Sequence, residues 1–330
     1  MISDQTFSSK FLLSIIIINY NLEDEIEKCL ISLLKTLNGI EFLSDAFEII
    51  IIDNNSPNKK LPELEKKFAS DKINFHYSDV NLGFGKGCNL GVEFAQGDFL
   101  LFLNPDTILT EDIFTPIIKL FKTDNSIGIV APKQQVLKPF FDFSAGFFPN
   151  IFFEFLHLFG IGVFFEGFLT FFLTKLTRSK YFQVDWILGA AIFIRKNIFK
   201  LIDGFDKDYF MFFEEVDLCK RIKKLNYKVI YYHSLKINHI GSVSGKKNYF
   251  LYTLRTYASK AIFLKKHYRF PLMQIMISFL FIQMFSQKII WTVLYPINKN
   301  KSLQKIKSFN YLLLKSDIGT TQALFKEQKT

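Results

Sequence analysis

The sequence predicts an α/β protein: a mostly parallel central sheet with helices on both faces, followed by C-terminal helices associated with a membrane. Three observations predict it. Short β-branched runs alternate with amphipathic stretches over the first 133 residues, the pattern of strands buried on both sides. Hydrophobic residues make up 49% of the 330, enough for a sizeable core. The chain then closes on a long apolar stretch, Pro271 to Pro296, with Lys265, Lys266 and Arg269 before it and Lys299, Lys301, Lys305 and Lys307 after it.

The elements follow in order. FLLSIIII, Phe11 to Ile18, has the apolar length of a signal-peptide core, but Lys10 is the only basic residue before it and no small-residue cleavage site follows. A buried strand explains it. Leu22, Ile26, Leu30, Leu33, Leu34 and Leu37 recur at helical spacing, and Asn38-Gly39 closes that helix. EIIII (48–52) is the next strand, Leu61 to Phe68 a short charged helix, INFHY (73–77) a third strand, and Gly87 to Ala95 a helix. FLLFL (99–103) is a fourth strand, Ile113 to Phe121 a helix, and IGIVAP (127–132) strand-like.

In such sheets ligands bind beyond the carboxyl ends of the strands. Those ends read Asn19-Tyr20-Asn21, Asp53-Asn54-Asn55-Ser56 and Asn104-Pro105-Asp106. All are polar, two carry an aspartate, and they should converge on one edge. Proline fixes its own φ and pushes Asn104 toward an extended conformation, so Asp106 is held in a set direction. The glycines of NLGFGKGCNLG (81–91) fail the dinucleotide spacing, because Cys88 stands where a third glycine is needed. This disfavours a nucleotide-sugar oxidoreductase and leaves a flexible loop whose backbone approaches a ligand.

The alternation stops at Lys133 to Lys138, which sets expected divisions at 1–133, 134–250 and 251–330. Within the second, Phe147 to Leu176 is intensely aromatic but broken by Pro149, Gly160, Gly162 and Gly167. That suits a loop or short helices at a membrane interface, with a buried subdomain as the other reading. AAIFIR (190–195) is a strand. In GFDKDYFMFFEEVDLCKRIKKLN (204–226) a turn leads into a helix whose apolar stripe is Leu218, Ile222 and Leu225. Glu215 shares that inward face, and a helix N-terminus helps hold a carboxylate ionised. Glu214 and Asp217 better suit a solvated acidic first turn. His239 follows a strand-like stretch and precedes Gly241 and Ser242. Gln274, Gln283, Gln287 and Lys288 inside the last apolar stretch, with its basic flanks, favour lying in the interface over crossing it.

The net charge of +10 comes without a basic helix or a nucleic-acid motif, so lipid and phosphate are better partners than nucleic acid. Cys29, Cys88 and Cys219 lack metal-ligand spacing and read as free thiols in a reducing compartment. Phenylalanine, at 41 residues, is far above ordinary usage.

Taken in order, SIIIINYN, IIIDNNS, NLGFGKGCNLG, FLNPD, WILGAAIFIR, GFDKDYFMFFEEVDLCKR and HIGSVS resemble an inverting family 2 glycosyltransferase of the GT-A nucleotide-diphospho-sugar transferase fold. Within the family, the chain is similar to the rhamnosyltransferase-like enzymes that build bacterial surface polysaccharides. The resemblance covers roughly Ser14 to Lys247 and implies roles for matching positions. Asn19 and Asp53 would contact base and ribose, with Tyr20, Asn21 and Asn55 beside them. Asn81, Gly83, Gly85 and Asn89 would lie against the sugar nucleotide. Asp106 would take the metal-binding place, with Asn104 where the family's first aspartate stands, and His239 would meet the metal or the diphosphate. Glu215 stands where the family's base is found. Trp186, Gly189, Glu214 and Asp217 would surround the acceptor. The implied cofactor is Mg²⁺ or Mn²⁺. The implied partners are a nucleotide diphosphate sugar, its sugar of the rhamnose kind, and a lipid-linked or oligosaccharide acceptor. The implied place is the cytoplasmic face of the bacterial inner membrane, peripheral or with one C-terminal membrane helix. A catalytically weak sugar-nucleotide- or lipid-binding protein on the same fold is the second reading. Retention of Asp53, Asp106 and Glu215 as carboxylates argues against it.

Overall fold

The structure is a computed structural model that describes residues 10–135, 144–239 and 248–314. Its elements in chain order begin with β1 (Phe11–Asn19), α1 (Glu23–Asn38), β2 (Phe47–Asp53), α2 (Leu61–Lys67), β3 (Ile73–Tyr77) and α3 (Phe84–Phe94). Next come β4 (Gly97–Leu103), β5 (Thr107–Ile108), α4 (Phe114–Thr123), β6 (Ile127–Gln135) and β7 (Ala145–Gly146). They are followed by α5 (Ile151–Leu158), α6 (Gly162–Leu176), β8 (Phe182–Gln183), β9 (Trp186–Ile187), β10 (Ala191–Arg195) and α7 (Lys196–Leu201). The last are α8 (Glu214–Lys224), β11 (Lys228–His239), α9 (Tyr249–His267), α10 (Leu272–Val293) and α11 (Lys299–Leu314).

Among the described residues, one nine-stranded sheet runs β3-β2-β1-β4-β10-β6-β11-β5, with β8 also on β11. The pairs β1–β2, β1–β4, β2–β3 and β6–β11 are parallel, and β10 enters antiparallel between β4 and β6. This is the expected mostly parallel sheet. Because β10 sits between two strands of the first 133 residues, the two expected halves share one sheet.

Strand alternation explains the unbroken apolar runs. Ile16, Ile18, Ile50, Ile52, Leu100 and Phe102 feed one core, while Ile15, Ile17, Ile49, Ile51, Leu101 and Leu103 feed the other. Each fully buried side chain of this size contributes roughly 1.5–3 kcal/mol, so neither face tolerates a polar residue without a partner. Ser14 and Glu48 show the permitted exception. Ser14 Oγ donates to Glu48 Oε1 at 2.6 Å and receives Gly97 N at 2.7 Å.

Three expectations are corrected here. Helix α3 starts at Phe84, three residues before the expected Gly87. Its glycines serve close packing: a Cβ on Gly83 (φ +81°) would lie 2.2 Å from Phe210 O, and one on Gly91 2.6 Å from Ile16 Cγ2. The segment is therefore a packed helix start and not a flexible loop. On α8, Leu218 and Ile222 are buried as expected, but Leu225 is exposed and lies beyond the helix.

The aromatic stretch forms two helices, α5 and α6, and α10 packs against α5, where Phe155 and Phe279 rings lie 6.4 Å apart. Phe152, Phe155, Phe159, Phe164, Phe168 and Phe172 stay exposed, as do Ile282, Phe285 and Ile289 of α10. Helix α10 is long and apolar enough to cross a membrane by length and composition. The Gly241-Ser242 part of the last motif and the 136–138 end of the expected boundary lie outside the described residues.

Candidate active site

The ends of β1 and β2 stand side by side, with Asn19 opposite Asp53 in the parallel register. Asn19 Nδ2 reaches Glu23 Oε1 at 2.7 Å, Asp53 Oδ1 at 3.0 Å and Ser56 Oγ at 3.1 Å, while its Oδ1 accepts Leu22 N at 3.1 Å. Asn19 is completely buried. Its amide holds the Glu23 and Asp53 carboxylates together at the strand ends. Glu23, absent from the sequence reading, also accepts from Asn58 Nδ2 at 2.6 Å. Asp53 faces the same knot, and Ser56 N lies 3.3 Å from both its oxygens.

Tyr20 is exposed beside this knot, and Asn21 and Asn55 both adopt left-handed backbone (φ 56° and 61°), which asparagine tolerates in tight turns. Asn21 N donates to Ser56 Oγ at 3.0 Å, and its Oδ1 accepts Asn58 N at 3.2 Å. Asn55 Oδ1 accepts from Lys59 Nζ at 3.3 Å. Asn54 ties the knot to the α3 loop: its Nδ2 donates to Asn81 Oδ1 (3.1 Å) and Gly83 O (3.0 Å), and its Oδ1 accepts Leu82 N (2.8 Å). Gly85 is buried under Phe205 and Glu214. Asn89 brackets the Phe205 peptide, donating to its O at 2.8 Å and accepting its N at 2.9 Å. Gly85 and Asn89 therefore position the loop.

On the other side of β1, the Asn104-Pro105-Asp106 turn follows β4. Antiparallel pairing of Thr107 with His239 carries β11 to it. His239 Nε2 lies 3.1 Å from Asp106 Oδ1 and 3.4 Å from Asn104 Nδ2. Among the described residues no three His, Cys, Asp or Glu side chains gather in a form able to hold a metal ion. Asp106 and His239 nevertheless supply one hard oxygen and one imidazole nitrogen on the same edge. This donor pair fits a Mg²⁺ or Mn²⁺ that keeps most of its positions for ligand oxygens and water.

Asn104 N donates to Ala190 O at 2.9 Å, joining the turn to the LGAA segment. The adjacent Gly189 is where Glu215 approaches: a Cβ there would lie 4.0 Å from Glu215 Cβ and Cγ. Phe212 and Phe213, with φ of 71° and 64°, turn the chain sharply into α8. Left-handed backbone at two aromatics costs of order 1–3 kcal/mol each, and Phe213 is held by Phe263, 5.7 Å away between ring centres. The turn delivers Glu214 and Glu215 into the interior, both buried. Burial pushes the Glu215 carboxyl up to about 7, against a smaller lowering by a backbone hydrogen bond. Burial and the Glu215 charge together push Glu214 well above the usual range. The expected stabilisation of the charge by the helix N-terminus is thus outweighed by desolvation.

Asp217 is buried too, which corrects the solvated first turn expected for it and Glu214. Its oxygens are taken by Arg221 Nε (2.6 Å) and by His267 Nε2 on α9 (2.6 Å), so it anchors α8 to α9. Glu215 instead lines a cavity of about 210 Å³, together with Trp186, Leu188 and Tyr252. Sequence reasoning missed the cavity's charged members, Glu154, His157, Glu166 and Lys260. Glu154 and His157 share one turn of α5 and Glu166 lies on α6, but Lys260 comes from α9, about a hundred residues away, so no local spacing gathers the four.

A polar strand-end edge with a buried carboxylate beside it, on this sheet order, matches one class: a GT-A nucleotide-diphospho-sugar transferase fold. The chain aligns over 98% of its length with a mannosyltransferase from Pyrobaculum calidifontis solved with GDP-Man and Mn²⁺, at TM-score 0.55 and 12% identity, covering 89% of that chain. The chain belongs to glycosyl transferase family 2, whose model matches residues 14–179. Its relatives include rhamnosyltransferases and other hexosyltransferases. Rhamnosyltransferase WbbL of Escherichia coli strain K12 is 27% identical over 239 residues, 68% of this chain and 83% of that one. The N-acetylglucosaminyl-diphospho-decaprenol L-rhamnosyltransferase of Mycobacterium tuberculosis strain H37Rv is 36% identical over 56 residues, 17% of this chain and 18% of that one.

Proposed function

We propose that this glycosyltransferase moves a sugar of the rhamnose kind, with inversion, from a nucleotide diphosphate to a hydroxyl of a lipid-linked saccharide. The observation that carries the reading is Glu215: a buried carboxylate with a raised pKa, lining a cavity directly behind the Gly189–Asn104–Asp106 edge. A general base works best when its pKa lies near the operating pH. Glu215 takes the acceptor hydroxyl proton while Tyr20, Asp53 and the Asn81–Gly83 loop hold the nucleotide. Gly189 leaves open the space between base and edge. Asn104 and Asp106 face the diphosphate, Pro105 fixing the turn that directs them. Asp106 and His239 would hold a divalent cation, which when bound supplies neutralisation of the leaving diphosphate.

The acceptor reading draws support from the mycobacterial relative, whose name carries a diphospho-decaprenol lipid. The exposed aromatic face of α5 and α6, continuous with α10, suits a membrane surface on the side where nucleotide sugars are made. Release of nucleoside diphosphate from a panel of nucleotide sugars, in membranes carrying the chain, tests the activity. Asp106→Ala is expected to stay folded and to lose release, as wild type does with chelator. Full activity in either case removes the cation from the reading.

A further inference from the structure

The cavity behind Glu215 is walled on its far side by the aromatic insertion, and that wall is polar. Glu154 and His157 of α5 and Glu166 of α6 turn inward, while Phe152, Phe155, Phe164, Phe168 and Phe172 of the same helices are exposed. Lys260 of α9 closes the ring, its Nζ 2.7 Å from Glu154 Oε2. His157 Nδ1 is 4.0 Å from Glu154 Oε1, and its Nε2 is 3.8 Å from Glu166 Oε1.

Glu154 is 1% exposed, yet its Oε1 accepts no hydrogen bond among the described residues; nor does Glu215 Oε2, and His157 Nδ1 is likewise unpartnered. Buried polar atoms are nearly always satisfied, and each orphan is costly. Three orphans around one cavity call for a ligand that brings several hydroxyl donors.

We infer that this cavity is a subsite for one neutral, hydroxyl-rich sugar unit, with Glu154, Glu166 and His157 receiving its hydroxyls beside the Trp186 ring. The inference rests on the glycosyl-transfer reading and names the acceptor end of it. Volume and charge choose the ligand class. At about 210 Å³ the space is below the roughly 300–1,000 Å³ of drug-sized sites and suits a single ring. Lys260 neutralises Glu154, leaving no spare cation. A diphosphate would then meet Glu215 and Glu166 without one. Burial raises Glu166 to about 7 and lowers His157 to about 3, so near neutral pH His157 is uncharged and Glu166 exchanges a proton readily. Both states suit hydroxyl recognition and neither attracts an anion. The Trp186 indole is held by a 2.8 Å hydrogen bond from Nε1 to Phe147 O, leaving its ring as an apolar wall.

The test uses the full chain in detergent with Trp291→Phe, so that Trp186 is the remaining tryptophan. Alkyl glycosides of N-acetylglucosamine, glucose, galactose and rhamnose are titrated against its fluorescence. UDP, GDP and TDP are titrated separately to report the nucleotide edge. The expected result is a saturable response to at least one glycoside, weakened ten-fold or more by Glu154→Gln and by Glu166→Gln, with nucleotide affinity unchanged. No response to any glycoside, or variants that bind as wild type does, overturns the subsite. A variant-sensitive glycoside response with no nucleotide bound supports the subsite while counting against glycosyl transfer, so the two failures are distinguishable.

Discussion

Removing the Asn19 amide tests whether the strand-end knot is a structural device. Asn19 Nδ2 faces Glu23, Asp53 and Ser56 at 2.7, 3.0 and 3.1 Å inside a fully buried position. Asn19→Ala strips two carboxylates of a donor. Hydrogen bonds to charged groups contribute roughly 1.5–3 kcal/mol each, so the two together set about 3–6 kcal/mol as an upper bound. Ser56 N still serves Asp53 and Asn58 still serves Glu23, which brings the expected cost to about 3 kcal/mol. With an unfolding entropy near 2.1 cal/mol/K per residue, a chain of this length loses about 1.5 °C of Tm per kcal/mol, hence about 4 °C. Thermal unfolding followed by circular dichroism reads this directly, and nucleotide affinity should fall alongside as Asp53 loses its orientation. A Tm within 1 °C of wild type would refute the reasoning. So would lost nucleotide binding at unchanged Tm, the signature of an amide that touches the ligand.

Two further outcomes follow from the same structure. Because burial lifts Glu215 to about 7 and the base acts only when ionised, kcat/KM should fall below pH 7, to about a tenth at pH 6; a profile flat to pH 5.5 contradicts a base of raised pKa. The protein should sediment with membranes and be only partly released by 1 M salt, since the Phe155, Phe159 and Phe285 face is insensitive to screening. Serine at these three positions should move it toward the supernatant, and wild-type protein that stays soluble without detergent defeats the membrane reading.

The sheet was legible because its strands are apolar on both faces, so SIIII, EIIII and FLLFL have only one way to be buried. The start of α3 was not, because Gly83 and Gly91 look like loop residues until Phe210 and Ile16 are seen pressing on them. The strand ends announced a site, but exposure decides what each residue does there. Asn19 and Asn89 carry ligand-like side chains whose polar atoms are spent on protein partners. Asp217 looked solvated since its partner His267 lies 50 residues away in sequence. The Glu154–Lys260 pair spans still more chain, so no spacing rule reports it. The glycine-broken aromatics read as a loop or short helices, and short helices α5 and α6 form; their polar inner face is carried by Glu154, His157 and Glu166.

The central claim is that Glu215 takes the acceptor proton, and the single-turnover rate of Glu215→Gln tests it most directly. The variant keeps shape and removes basicity, so the chemical step should slow by about 10²–10⁴, equivalent to about 2.7–5.5 kcal/mol, with donor affinity nearly unchanged. Glu214→Gln is the matched control. Burial and the neighbouring charge push its carboxyl well above the usual range, which disfavours the ionised form a base needs, so the amide should stay within about ten-fold of wild type. A Glu215→Gln enzyme that turns over at the wild-type rate, or a Glu214→Gln enzyme that fails while Glu215→Gln survives, would contradict the account.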